Sequence, residues 1–145
     1  MNLQRTHLFS FAILALTALT ACSQGGTQET KGGTSTVAAA QAPETLDAKS
    51  FQAVIGQGKA LLVDVRTPAE YASGHLEGSL NVDWTGSNYE AEFAKLPKDQ
   101  PLLLYCRSGG RSGQALEYLK SKGYQVQHLD GGIGAWMNAG LPVTQ

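Results

Sequence analysis

From residue 44 onward the chain alternates between two hydrophobic periods. Leu46, Phe51, Val54 and Ile55 recur at helical spacing, and Gly56 and Gly58 follow as a stop. Ala60-Leu61-Leu62-Val63-Asp64-Val65 is a nearly continuous apolar run, the pattern of a parallel strand covered on both faces. Thr67-Pro68-Ala69-Glu70 then carries three agreeing helix-start signals: a Thr cap, Pro at the first helical position and Glu three residues after the cap. Ser87-Asn88-Tyr89-Glu90 repeats that capping-box pattern and predicts a helix through Leu96, stopped by Pro97. Pro101 to Tyr105 reads as a second buried strand, and Ser112 to Lys122 as a helix with Gly123 as its left-handed stop. Gln125 to Leu129 reads as another strand, followed by Asp130-Gly131-Gly132 and a short helix around Trp136. Strands alternating with helices over this length predict an α/β domain, a parallel sheet with helices on its faces.

The first 43 residues follow a different pattern. Residues 8–21 (LFSFAILALTALTA) are apolar, preceded by Arg5 and the amino terminus, which is the order of a secretory signal. The run is shorter than the roughly 20 residues that a membrane-spanning helix needs. It ends in Leu19-Thr20-Ala21-Cys22, which resembles the lipobox of bacterial lipoproteins. That resemblance implies cleavage of residues 1–21, diacylglyceryl modification of the Cys22 thiol and acylation of the new amino terminus. Several acyl chains, at about 0.8 kcal/mol per buried CH₂, would hold the protein stably on a membrane. Ser23 after the lipidated position implies the outer membrane rather than the inner, with the protein facing the periplasm. Residues 23–43 are Gly, Ser, Thr, Gln and Ala with almost no large apolar side chains, so 22–43 reads as a flexible tether and 44–145 as the domain.

Composition narrows the function classes. The 145 residues are 42% hydrophobic and 16% charged, enough apolar material for one packed core. The formal net charge is -1 and the basic residues are scattered, which argues against nucleic-acid binding. Two cysteines, Cys22 and Cys106, are too few for a disulfide scaffold, and no ligand cluster suggests zinc. With Cys22 spent on lipid, Cys106 is a lone thiol in an oxidising compartment.

Cys106 is the first residue after an apolar strand, and Arg107-Ser108-Gly109-Gly110-Arg111 leads straight into a helix. In such sheets ligands bind beyond the carboxyl ends of the strands. Adjacent glycines let successive N–H groups converge on one point as an anion nest. The helix dipole and two arginines add positive potential. Such surroundings lower a thiol pKa from about 8.5 to between about 3.5 and 7.5, so Cys106 is expected to be a thiolate nucleophile. Asp64 and Arg66 have one residue between them, which puts both on one face of a strand as an ion pair or loop support. His75 reads as a structural hydrogen-bonding residue. His128, with no carboxylate or cysteine at motif spacing, reads as a bystander.

The segment Cys106-Arg107-Ser108-Gly109-Gly110-Arg111-Ser112 resembles the active-site loop of single-domain rhodanese-type sulfurtransferases. Two further stretches agree, in the same order. They are Asp64-Val65-Arg66 with Glu70-Tyr71 and Gly74-His75-Leu76-Glu77-Gly78-Ser79 through Asn81, and Leu129-Asp130-Gly131-Gly132 with Trp136. The resemblance implies a five-stranded, mainly parallel sheet and a cysteine that accepts a sulfane sulfur to become a persulfide. Cys106 matches the nucleophile. The loop from Arg107 through Ser108, Gly109 and Gly110 to Arg111 matches the persulfide cradle. Arg111 matches the basic position that helps bind an anionic donor, and Asp64 and Arg66 match positions that support the loop. The implied donor is a small anion such as thiosulfate, and the acceptor is cyanide, a small thiol or the cysteine of a partner protein. No metal or organic cofactor is expected.

Two alternatives stay open at this level. Cysteine phosphatases and arsenate reductases also place a thiolate and an arginine around a loop, but with one residue more between them than the four that separate Cys106 from Arg111. A rhodanese-like domain can also act as a persulfide carrier or binding module without turnover.

Overall fold

The computed structural model describes residues 42–145. The expected signal, the lipidated Cys22 and most of the tether lie outside the described residues. Ten elements follow one another: β1 (Thr45–Leu46), α1 (Ala48–Ile55), β2 (Leu61–Asp64), α2 (Pro68–Ala72), β3 (Leu80–Asn81), α3 (Tyr89–Ala94), β4 (Leu102–Tyr105), α4 (Gly110–Ser121), β5 (Val126–Leu129) and α5 (Gly132–Asn138). The strands form one five-stranded sheet in the order β1-β5-β4-β2-β3, with every neighbouring pair parallel.

The central strand explains the apolar run in the sequence. All four residues of β4 are fully buried, because helices cover both faces of the sheet. Strand alternation sorts its side chains into two cores. Leu102, Leu104 and Cys106 join Val63, Val65, Phe93, Ala115 and Leu119 on the α3–α4 face. Leu103 and Tyr105 join Phe51, Leu62, Leu129, Ile133 and Trp136 on the α1–α5 face. On that second face Phe51 and Trp136 pack edge to face, with ring centroids 6.4 Å apart.

Where the local signals are complete, the elements form as expected. The Thr67 hydroxyl accepts from Glu70 N–H at 3.3 Å, and the Glu70 carboxylate accepts from Thr67 N–H at 3.2 Å, a closed capping box. Gly123 takes φ +86° after α4. Other boundaries move. Leu46 belongs to β1, not to the first helix, because it pairs with Leu129 across the sheet. Helix α1 begins only after Asp47, whose carboxylate accepts from Ser50 N–H at 2.7 Å.

The second predicted capping box does not form. Asp83 takes the Thr85 N–H and hydroxyl at 2.9 and 2.7 Å, and its carbonyl accepts from Gly86 N–H. The chain therefore enters α3 one residue late, with Asn88 at the cap and its amide donating to Glu92 instead. Helix α3 also ends at Ala94 rather than Leu96. Tyr124 donates to the Phe93 carbonyl at 2.8 Å, and Leu96 N–H turns back to the same carbonyl. Helix α4 begins at Gly110, two residues earlier than expected, so the loop after β4 merges with its first turn.

The order of the strands creates the position for a site. From β2 the chain turns outward to β3, and from β4 it turns the other way to β5. Beyond the carboxyl ends of β2 and β4 the two connections diverge, which opens a crevice there. Arg66 follows β2 and Cys106 follows β4 at that switch point.

Candidate active site

Cys106 is 1% exposed at the head of a tight loop. Gly109, at φ +93°, turns the backbone so that its N–H donates to Cys106 Sγ at 3.1 Å. The Ser112 hydroxyl, on the first turns of α4, lies 3.6 Å from the same sulfur. Burial alone would raise the thiol pKa. The N–H groups of Ser112, Ser108 and Gly109 and the Ser112 hydroxyl outweigh it, so Cys106 lies below an ordinary thiol. The apolar strand brings the sulfur to the carboxyl end of the sheet, and the glycines fold donors over it.

Arg107 and Ser108 are exposed on the outside of the loop. They line a cleft of about 510 Å³ together with Arg66, Glu70, Ile133 and Met137. Cys106 is almost fully buried behind these residues and does not itself line the cleft.

Arg111 is the residue whose surroundings depart most from the simple anion-binding picture. Its two terminal nitrogens donate to the two Glu70 oxygens, each at 2.7 Å, in a bidentate pair. The Arg111 guanidinium, helped by Thr67 and opposed by burial, holds the Glu70 carboxyl down to about 2. The guanidinium is thus fixed against α2 and presents its charge to the loop from the side, where it interacts with Cys106.

Asp64 and Arg66 do pair. Arg66 Nε and Nη2 reach the Asp64 carboxylate at 2.6–3.0 Å, with Asp64 0% and Arg66 5% exposed. Arg66 Nη2 also donates to the Gly74 carbonyl at 2.7 Å, which ties the end of β2 to the turn after α2. The Asn81 amide closes the same segment by donating to the Asp64 and Arg66 carbonyls at 3.1 and 2.8 Å. His75 stacks on Tyr71, with centroids 3.8 Å apart, and its Nδ1 lies 3.1 Å from the Tyr71 carbonyl, a structural role.

Two contributions were not legible in the chain. The first is the start of α5. Ile133 N–H donates to the Cys106 carbonyl at 2.8 Å and Gly134 N–H to the Arg107 carbonyl at 3.2 Å, so the helix end pins the loop from below. Adjacent glycines at 131 and 132 were the available signal, since both take positive φ. The second is His128, whose Nδ1 lies 3.2 Å from the Ser112 hydroxyl and hence one step from the sulfur. No signal in the sequence joined those residues.

Comparison with known proteins agrees with this geometry. The family model for the rhodanese-like domain matches residues 47–139. A sulfurtransferase of Allochromatium vinosum is 45% identical over 85 residues, covering 58% of this chain and 78% of that protein. The crystal structure of a rhodanese-related protein from Thermoplasma volcanium superposes with a TM-score of 0.64 at 28% identity, over 70% of this chain and 97% of the other. The thiosulfate sulfurtransferase of Pseudomonas aeruginosa gives 0.59 at 26% identity, over 72% of this chain and 20% of that one. By sequence and by fold alike, this chain belongs to the rhodanese-like family of sulfurtransferases.

Proposed function

We propose that the protein moves a sulfane sulfur from a donor such as thiosulfate to a thiophilic acceptor through a persulfide on Cys106. The Cys106 thiolate attacks the outer sulfur of the donor. A bond forms between Sγ and that sulfur, the donor's S–S bond breaks, and its electron pair leaves with sulfite. The persulfide anion then rests among the loop N–H donors. A nucleophilic acceptor, cyanide or a thiolate, takes the terminal sulfur and returns the electron pair to Cys106. Cys106 is the one cysteine of residues 44–145, so the acceptor comes from outside the domain.

The observation that carries this reading is the Gly109 N–H 3.1 Å from a 1%-exposed Cys106 sulfur at the mouth of the helix. The same loop disfavours phosphate or arsenate chemistry. Arg111 is drawn out to Glu70 rather than into the ring, and only four residues separate it from Cys106.

Intact-protein mass spectrometry before and after thiosulfate tests the proposal. The expected result is the gain of one sulfur atom, lost again on addition of cyanide. A reduced, alkylatable Cys106 that gains nothing would sink thiosulfate as donor and favour a carrier loaded by another protein, or a binding module. The apolar run before Leu19-Thr20-Ala21-Cys22 supports a lipid anchor that holds the domain at the bacterial envelope, facing the periplasm and on the outer membrane. Metabolic labelling with a fatty acid should mark the wild-type protein and not Cys22→Ser. Equal labelling of both would remove the anchor from the proposal.

A further inference from the structure

We propose that His128 is a positioning residue for the Cys106 sulfur, its Nδ1–H donating to Ser112 Oγ so that the single Ser112 proton is directed at Sγ. The inference rests on the reading of Cys106 as the sulfur-accepting nucleophile and adds a residue to it. Ser112 is fully buried. Its hydroxyl oxygen lies 3.6 Å from Cys106 Sγ, 3.1 Å from the Gly109 carbonyl and 3.2 Å from His128 Nδ1. A hydroxyl carries one proton. If Nδ1 is bare, three acceptors compete for that proton, and the thiolate receives only a share of it.

The far side of the ring has a partner that can serve either direction of the chain. His128 Nε2 is 3.1 Å from the Thr45 hydroxyl on the neighbouring strand β1. With the proton on Nδ1, Thr45 donates to Nε2, His128 donates to Ser112, and Ser112 donates to the sulfur. Every donor then points toward the negative charge, and such a chain is mutually polarising. With the proton on Nε2, both ring bonds reverse and Ser112 turns its proton into the ring, away from the sulfur. A thiolate or persulfide anion at the end of the chain selects the first arrangement, because which ring nitrogen is protonated follows the partners of both. Burial lowers the basicity of His128, with Asp130 opposing, which favours the neutral ring, the form that can both accept and donate.

The contact is a product of the sheet order. Residues 45, 112 and 128 come from β1, α4 and β5, and β5 lies between β1 and β4. Arg111 on α4 interacts with Cys106. The other charged groups on the neighbouring elements are Arg107 in the loop, Glu70 on α2, Asp64 at the end of β2 with Arg66 just after it, and Asp130 after β5 facing His128. His128 substitutions leave all of them in place.

The test is the pH dependence of Cys106 alkylation in the full chain, which reads the thiolate without requiring sulfur transfer. His128→Leu should raise the thiol titration by about 0.5 to 1 on the pH scale, since part of one hydrogen bond to a charged sulfur is lost. His128→Asn, whose amide can offer a donor near the Nδ1 position, should return it to within about 0.3 of wild type. An unchanged titration in His128→Leu overturns the inference, as does a rise that Asn does not reverse. Nitrogen-15 chemical shifts of the His128 ring in the wild-type protein give a second measure that does not depend on a variant folding. The proton is expected on Nδ1 above the thiol's titration, and a proton on Nε2 overturns the inference. Failure to load sulfur with these results intact would count against the transfer reading alone.

Discussion

Cys106→Ser should lose sulfur transfer from thiosulfate to cyanide by at least about 10³-fold while remaining folded. A serine hydroxyl is not ionised at neutral pH, and an oxygen there cannot form the S–S bond that holds the transferred atom. The fold should tolerate the exchange, because the side chains have the same shape and the Gly109 N–H that reaches Sγ at 3.1 Å can reach a hydroxyl instead. A fall in Tm of no more than a few degrees is expected, consistent with about 1 kcal/mol. The wild-type protein adds a pH test with a definite sign. Loading should rise with pH as Cys106 ionises and then level off. Because the loop donors hold the thiol below its ordinary value, the plateau should arrive at lower pH than for a free cysteine. Steady-state turnover of the variant near wild type would move the chemistry away from Cys106.

Gly132→Ala should damage both stability and turnover, although residue 132 carries no reacting group. A Cβ at this position would lie 2.3 Å from the Cys106 carbonyl oxygen and 2.6 Å from the Arg107 carbonyl carbon. Both are backbone atoms, so neither can rotate away. Gly132 also has φ +57°, a conformation that costs an ordinary residue roughly 1–2 kcal/mol. Adding overpacking of about 1–3 kcal/mol gives an expected loss of about 2–5 kcal/mol, or a Tm lower by on the order of 10 °C or more. The displaced atoms are the carbonyls that accept from Ile133 and Gly134, so relief of the overlap must move the loop that holds the sulfur. Thermal denaturation and the thiosulfate–cyanide assay, run on the folded fraction, measure the two effects separately. A variant with wild-type Tm and rate would mean that the loop is held by something other than this helix end.

The parts of the fold that are legible along the chain are those that a few neighbouring residues decide. The Thr67–Glu70 capping box closes within three residues and forms as read. The strands β2 and β4 announce themselves because helices on both sides leave a nearly continuous apolar run, whereas β5 carries Gln127 and His128 between Val126 and Leu129. The loop at Cys106 is legible for the same reason, since an anion nest needs only a cysteine, two glycines and the helix that follows. By contrast β1 and β3 are two residues each, too short to show a period, and β1 exists only because Thr45 and Leu46 pair with His128 and Leu129. Likewise Ser87 has the right spacing for a cap, but the Asp83 turn occupies the residues just before it and the helix starts one residue later, with Asn88 at the cap.

At the site the division follows the same physics. Residues within a few positions of one another mark Cys106 as the candidate nucleophile, with its glycine-rich donors and the Asp64–Arg66 pair. The folded sheet is what brings Arg111 to Glu70, 41 residues earlier, and Ser112 to His128, 16 residues later. It alone placed the start of α5 beneath the Cys106 loop. Contacts of that kind depend on which strands become neighbours, and neighbour order is set by the burial of whole faces rather than by any local period.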